Sequence, residues 1–328
     1  MATEDELRRR EPEAPPGSQP GPPLVEGLEE PPQGGPEREF TVKSRSQTEL
    51  VLRRFLHHRL ALASLFVLVI VVLLALFGGK IWHYSYTFQS NDLSKGPSFK
   101  HPFGTDELGH DTFAQVLRGA NKSVVIALMV ASLSTVVGTL VGAIAGFYRG
   151  WIDSLLMRIT DLFLTIPFYA AAAALAYQFA GASDGWLFLA LILAGFAWMP
   201  VARVVRGVFL SLREKEYVEA ARALGAKNRR IIFRHLLPNA VGPIIVNATL
   251  ITAAAILAET ALSYIGLGVQ PPDVSLGLLV SRGETAATTR PWLFYFPGLF
   301  IIVIVLTINF VGDGLRDAFD PTQTRVRA

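Results

Sequence analysis

The chain has 328 residues, of which 51% are hydrophobic and only 17% charged, with a formal net charge of +3 and no cysteine. Soluble domains carry about 25% charge, so this chain is short of polar surface for its length. The near-neutral balance argues against nucleic acid as a partner, and the missing thiols exclude disulfides, thiolate metal sites and cysteine nucleophiles.

The chain opens on a segment unlike the rest. Residues 1–40 hold nine prolines and five glycines among acids such as Glu4, Asp5, Glu29 and Glu30. Such a stretch buries too little apolar surface to offset its ordering entropy, so 1–50 is expected to be a disordered, acidic, solvated tail. An acidic start with the apolar run so late does not read as a signal peptide.

Residues 60–77 (LALASLFVLVIVVLLALF) run eighteen positions without a charge or proline. As a helix this is about 27 Å, close to the hydrocarbon thickness of a bilayer. Further runs at 123–147, 154–180, 186–202, 239–262 and 293–311 bring the expected spans to six. Backbone groups in lipid must be satisfied within the segment, so an all-α membrane protein is expected. Gly138, Gly142 and Gly146 recur every four residues and predict a close helix approach, and the alanine run 170–174 offers a second smooth face.

Arg53, Arg54 and Arg59 precede the first span, which puts the amino terminus inside, and six crossings return the carboxyl terminus to the same side. Segment 203–238 then falls inside, and it holds nine Lys or Arg against three Glu. The longer loops at 78–122 and 263–292 fall outside. The expected organisation is therefore a tail (1–50), a first span with an extracytoplasmic loop (51–122), a five-helix core (123–322) and a short end (323–328).

Within 203–238, Tyr217, Val218, Ala221 and Leu224 follow helical spacing, and Gly225 stands where a helix would end in a left-handed turn. Ile231, Ile232 and Leu236 form the apolar side of a second short helix, and Pro238 opens span five. The elbow's alanines suit a groove on another protein, while its bases suit anionic lipid headgroups. Both readings stand on the residues alone.

Glu219-Ala220-Ala221, three residues, Gly225, nine residues, then His235-Leu236-Leu237-Pro238 resembles the EAA loop of ABC-importer permeases. The general pattern has isoleucine where this chain has His235, whereas the peptide branch often reads Arg-His-x-Leu-Pro. Three more stretches are similar to the peptide/nickel branch. They are His101-Pro-Phe-Gly-Thr-Asp-Glu-Leu-Gly-His-Asp111, Gly266-Leu-Gly-Val-Gln-Pro-Pro272 and Gly312-Asp-Gly-Leu-Arg-Asp-Ala-Phe-Asp-Pro321. The first departs from the family's usual Gly-Arg-Asp at Gly109-His110-Asp111. The resemblance spans roughly residues 50–322.

The resemblance implies a type I importer permease fold in a bacterial cell membrane, with both termini cytoplasmic. It implies half of a pathway for dipeptides or oligopeptides, with nickel or another small solute as the alternative. The other half would come from a second, related permease. Two ATPase subunits would hold ATP and magnesium, and an extracytoplasmic binding protein would deliver the load. The chain agrees in having no GxxxxGK(S/T) loop, since Gly78-Gly79-Lys80 runs into isoleucine. By this resemblance Glu219, Ala220, Ala221, Gly225, His235, Leu237 and Pro238 couple the spans to an ATPase, with Glu219 anchoring the elbow. No catalytic residue, metal ligand or cofactor is assigned to this chain.

Polar residues within spans are candidates for the pathway or its gate. Asp161 stands one turn after Arg158, a spacing that favours a local ion pair. Pro167 is expected to bend span three. Asn247, Thr249 and Thr252 suit either a pathway lining or helix–helix hydrogen bonds, and Glu259 is expected near the outer interface in a structural or gating contact. An ion-coupled transporter would place ionisable groups near the midplane, and a membrane hydrolase would show HExxH or GxSxG; neither pattern is found.

Overall fold

Uniformly apolar segments close their hydrogen bonds internally, and this chain does so as helices throughout. The computed structural model describes residues 47–179 and 184–320. Most of the expected tail, residue 180 at the end of the expected third span, and the 323–328 end lie outside the described residues. The helices are α1 Gln47–His57, α2 Arg59–Ile81, α3 Thr112–Tyr148, α4 Gly150–Leu164, α5 Phe168–Gln178 and α6 Gly185–Arg213. They continue as α7 Glu216–Ala223, α8 Asn228–Ile231, α9 Leu237–Tyr264, α10 Leu276–Glu284 and α11 Trp292–Phe319, with a π turn at Ile232–Leu236. Five rods are long and apolar enough to cross a membrane: α2, α3, α6, the run from α8 through α9, and α11.

The third expected span is not one helix. It is the pair α4 and α5, bent by 78° at a break over residues 165–167. Pro167 supplies the cause, because it cannot donate to the helix ladder and it biases Ile166 away from helix. Elsewhere the helices outrun the apolar windows. α3 begins eleven residues before the expected position 123, where Asp111 caps it by accepting a 2.7 Å hydrogen bond from the Ala114 amide. Arg118 and Lys122 are therefore helical residues rather than loop residues. α6 likewise continues to Arg213, which shortens the loop that follows it.

Gly138, Gly142 and Gly146 set the central packing. A Cβ on Gly138 would lie 2.5 Å from Val201 Cβ, one on Gly142 2.4 Å from the Ala202 carbonyl, and one on Gly146 2.7 Å from Phe209 Cβ. The partner on α6 advances with each glycine, so α3 and α6 run parallel with their backbones in close approach. A parallel pair requires the chain to return between them, and the broken α4–α5 pair is that return. Two α6 arginines tie it in place: Arg206 bonds Asp153 in bidentate fashion at 2.5 and 2.7 Å, and Arg203 pairs with Asp161.

α9 crosses antiparallel to α3. Its far end holds Glu259, 0% exposed, which accepts hydrogen bonds from Ser123 of α3 at 2.8 Å and from Ser263 at 2.6 Å. α11 runs back along α9, with Gly312 against Thr249 and Phe319 against Gly242, while Gly314 admits Ala61 of α2. Arg54 of α1 donates to the Ala318 and Asp320 carbonyls at the last turn of α11. The start of α2 and the ends of α3, α6 and α11 thus share one face, from which α7 projects.

Gly142→Ala will cost about 2 kcal/mol, the range of overpacking a close-packed contact, measured as a lower melting temperature in detergent. An unchanged melting temperature would contradict the backbone approach of α3 and α6.

Candidate functional site

The elbow between α6 and α9 is built around one left-handed residue. α7 ends at Ala223, and Gly225 follows at φ +78° with its amide bonded to the Arg222 carbonyl. No atom lies within 4 Å of a Cβ placed there, so the need for glycine is conformational rather than steric. The chain then re-enters helix at α8 and widens into the π turn, where the Leu237 amide reaches back to the Ile232 carbonyl. Pro238 explains the widening. A proline ring clashes with the carbonyl four residues earlier, and a longer i→i+5 repeat relieves the crowding. Asn239 donates at 2.7 Å to the His235 carbonyl, which the loosened ladder leaves available.

Three side chains fasten the elbow to the spans. Val218 of α7, Ile231 of α8 and Leu236 of the π turn are fully buried in one cluster with Phe147, Val201, Val205, Phe209 and Ala240. Burying each aliphatic side chain contributes about 2 kcal/mol. Polar contacts brace the same joint: Arg213 donates to the Phe147 carbonyl, Arg222 lies 5.9 Å from the Phe147 ring centre, and Arg149 bonds Glu214 at 2.9 Å.

The opposite side of the elbow faces away from the bundle. Glu219, Ala220, Ala223 and Gly225 are exposed, Ala221 is half-buried, and Leu224 is 88% exposed at the tip. The apolar residues of the elbow are therefore divided: Val218 is buried in the bundle and Leu224, just past the end of α7, is exposed. Glu219, expected to anchor the elbow, is exposed, and its carboxylate has no ion-pair partner among the described residues. His235 and Leu237 are half-buried and Pro238 is exposed.

The other candidates scatter. Asp161 pairs across to Arg203 of α6 rather than with Arg158 of its own helix, because the 203 position faces α4 where the two helices cross. Asn247, Thr249 and Thr252 turn back onto α9 and donate to the Pro243, Val246 and Ala248 carbonyls at 2.9, 2.8 and 2.8 Å. Pro167 stands at the break beside an apolar cavity of about 390 Å³, lined by Phe163, Phe168, Leu193, Pro200, Ile251 and Ala255 among others. Glu259 lies at the opposite end of α9 from the elbow, buried among Ser123 and Ser263 and next to Ala258, which lines this cavity.

Sequence reading missed the clasp at the far face. Asp273, in the loop after α9, accepts from Arg118 at 2.7 and 3.0 Å and pairs with Lys122 at 2.7 Å. Burial would push its carboxyl up, but the hydrogen bonds of Arg118 and Lys122 outweigh this and hold it below its ordinary value. The 101–111 stretch folds beside it. Asp111 joins the His101 ring at 2.7 Å and the Trp82 indole at 3.2 Å, and Gly109, at φ +83°, comes so close to the Ser90 carbonyl that no Cβ fits.

Comparison with known proteins meets this geometry from outside. Residues 138–325 match the family described as binding-protein-dependent transport system inner membrane component, and residues 46–102 match the N-terminal TM domain of oligopeptide transport permease C. The oligopeptide transport system permease protein OppC of Mycobacterium tuberculosis (strain ATCC 25618 / H37Rv) is 45% identical over 283 residues, covering 86% of this chain and 97% of that protein. The dipeptide transport system permease protein DppC of Bacillus subtilis (strain 168) is 39% identical over 284 residues, covering 86% and 88%. A chain of the inward-facing MetNI methionine ABC transporter superposes with a TM-score of 0.52 at 20% identity over 63% of this chain and 96% of that one, a likeness of fold. The chain is a multi-pass membrane protein of the binding-protein-dependent transport system inner membrane component family.

Proposed function

We propose that the chain is one of two permease subunits of an ATP-driven importer of dipeptides or oligopeptides, and that α7 with the Gly225 turn is its coupling element. One observation carries the reading: the elbow is packed into the ends of α3 and α6 on one side and presents small residues and Leu224 on the other. A partner that grips the exposed side moves the packed side with it. The peptide load rests on the names of relatives that align over nearly their whole length. In this reading the termini and the elbow are cytoplasmic, in accord with nine Lys or Arg against three Glu in 203–238.

The mechanism follows from which parts are stiff. Two separate ATPase subunits, which hold ATP and magnesium, close on each other and displace the two elbows they grip. The displacement passes through Val218, Ile231 and Leu236 into Phe147 of α3 and Phe209 of α6. Because α3 and α6 touch backbone to backbone, they rotate together, and the arginine ties carry α4 along. The break at 165–167 and the apolar cavity beside it let α5 shift relative to α4. Rocking of this unit against a second permease alternates access to the pathway. A binding protein on the far face supplies the peptide.

Gly225→Val forces a β-branched residue into the left-handed region and will uncouple transport from hydrolysis. Reconstituted complexes of this variant are expected to insert normally and to lose most peptide uptake per ATP hydrolysed; wild-type uptake refutes the turn. Leu224→Asp leaves the chain's melting temperature unchanged and weakens ATPase co-purification about tenfold, as expected of an exposed interface anchor. Undiminished co-purification places the grip elsewhere. Deleting the chain abolishes uptake of labelled dipeptides but not of nickel; the reverse result overturns the choice of load.

A further inference from the structure

We infer that a groove between the end of α2 and the start of α3 binds the phosphate of an anionic phospholipid, in the leaflet opposite the elbow. The groove encloses about 520 Å³. Its floor is apolar, formed by Ala75 and Leu76 of α2 and Ala114 and Leu117 of α3, and its rim carries Lys80, Arg118 and Asn121. Lys80 is exposed and has no ion-pair partner among the described residues. Arg118 is paired with Asp273, so the unpaired cation on the rim is Lys80. Arg118 is also steadied over the Tyr86 ring at 5.1 Å, which fixes the direction of its guanidinium.

Position identifies the anion as a lipid headgroup. α2 is the least buried of the long rods, and Leu73, Leu74, Leu76 and Phe77 are exposed immediately before the groove. On a membrane span that surface meets acyl chains. Trp82, Tyr84 and Tyr86 follow within two turns' length, the aromatic signature of the boundary between hydrocarbon and headgroups. The apolar floor thus continues the lipid-facing side of α2, and the cations sit at headgroup depth. Gly79 keeps the mouth open, with nothing within 4 Å of a Cβ built there.

The complete transport complex, purified in mild detergent with equal phosphatidylglycerol and phosphatidylcholine, tests this by native mass spectrometry. The complex is expected to retain phosphatidylglycerol in preference. Lys80→Glu will lower that preference about fivefold, the effect of one membrane-adjacent lysine, and Gly79→Leu will lower it by filling the mouth without changing charge. Both positions are exposed, and both variants are expected to keep the wild-type melting temperature. Millimolar inorganic phosphate leaves the lipid in place, because it lacks the acyl chains that meet the floor. Equal retention of the two lipids, or variants with unchanged preference, overturns the site. Displacement by phosphate alone shows a bare anion site instead, and displacement by a transported dipeptide assigns the groove to the pathway; either result also overturns the lipid reading.

Discussion

The structure depends on a joint in which three aliphatic side chains from a short loop are locked between two parallel helices. Val218, Ile231 and Leu236 meet Phe147 and Phe209 with no exposed surface left on the three. Without that contact the elbow would be a tethered loop, and any force on it would dissipate in loop motion. With it, displacing α7 independently of α3 and α6 would require opening a packed core, and a close-packed interior transmits strain instead of absorbing it. Rigidity at the joint turns a docking event into a movement of spans.

The same economy appears deeper in the bundle. The glycine ridge on α3 removes side chains where α6 passes, so the two helices respond as one body. The return crossing is treated differently. α4 is held to α6 by Asp153–Arg206 and Asp161–Arg203, but α5 is separated from α4 by the Pro167 break. A stiff pair, a half-tethered crossing and an apolar cavity beside the break give the bundle one firm unit and one yielding place. Glu259 belongs to the firm part. Its serine hydrogen bonds link α3 to α9 at the far end from the elbow, so both ends of the α3–α9 contact are pinned.

Much of this was legible in the chain of letters, and the limits have physical causes. The apolar runs located the crossings because lipid leaves little choice of composition. Gly225 was legible because few residues accept a left-handed turn, and Pro167 because its ring cannot continue a helix. Helix ends were not legible where helices leave the bilayer: α3 starts at an Asp111 cap among polar residues that read as loop. Partners far apart in sequence were hidden too. Arg158 was the obvious local partner of Asp161, and only the crossing of α4 over α6 brings Arg203 there. Asn247, Thr249 and Thr252 suited either a pathway lining or bonds between helices, and their short side chains find nearer acceptors on their own helix. The outward turn of Leu224 follows from the pitch of α7 against the bundle, which no spacing rule contains.

The central claim is that the elbow and α3 move as a single body. Absence of cysteine from the chain makes a clean paired label straightforward. Spin labels at Glu219→Cys on the elbow and Leu140→Cys on the exposed side of α3 report their separation by pulsed dipolar spectroscopy. The account predicts the same mean distance in the nucleotide-free and ATP-bound complexes, even as the elbow moves relative to the partner permease. A separation that shifts by several ångströms between those states, or a distribution that broadens to include both, would contradict it.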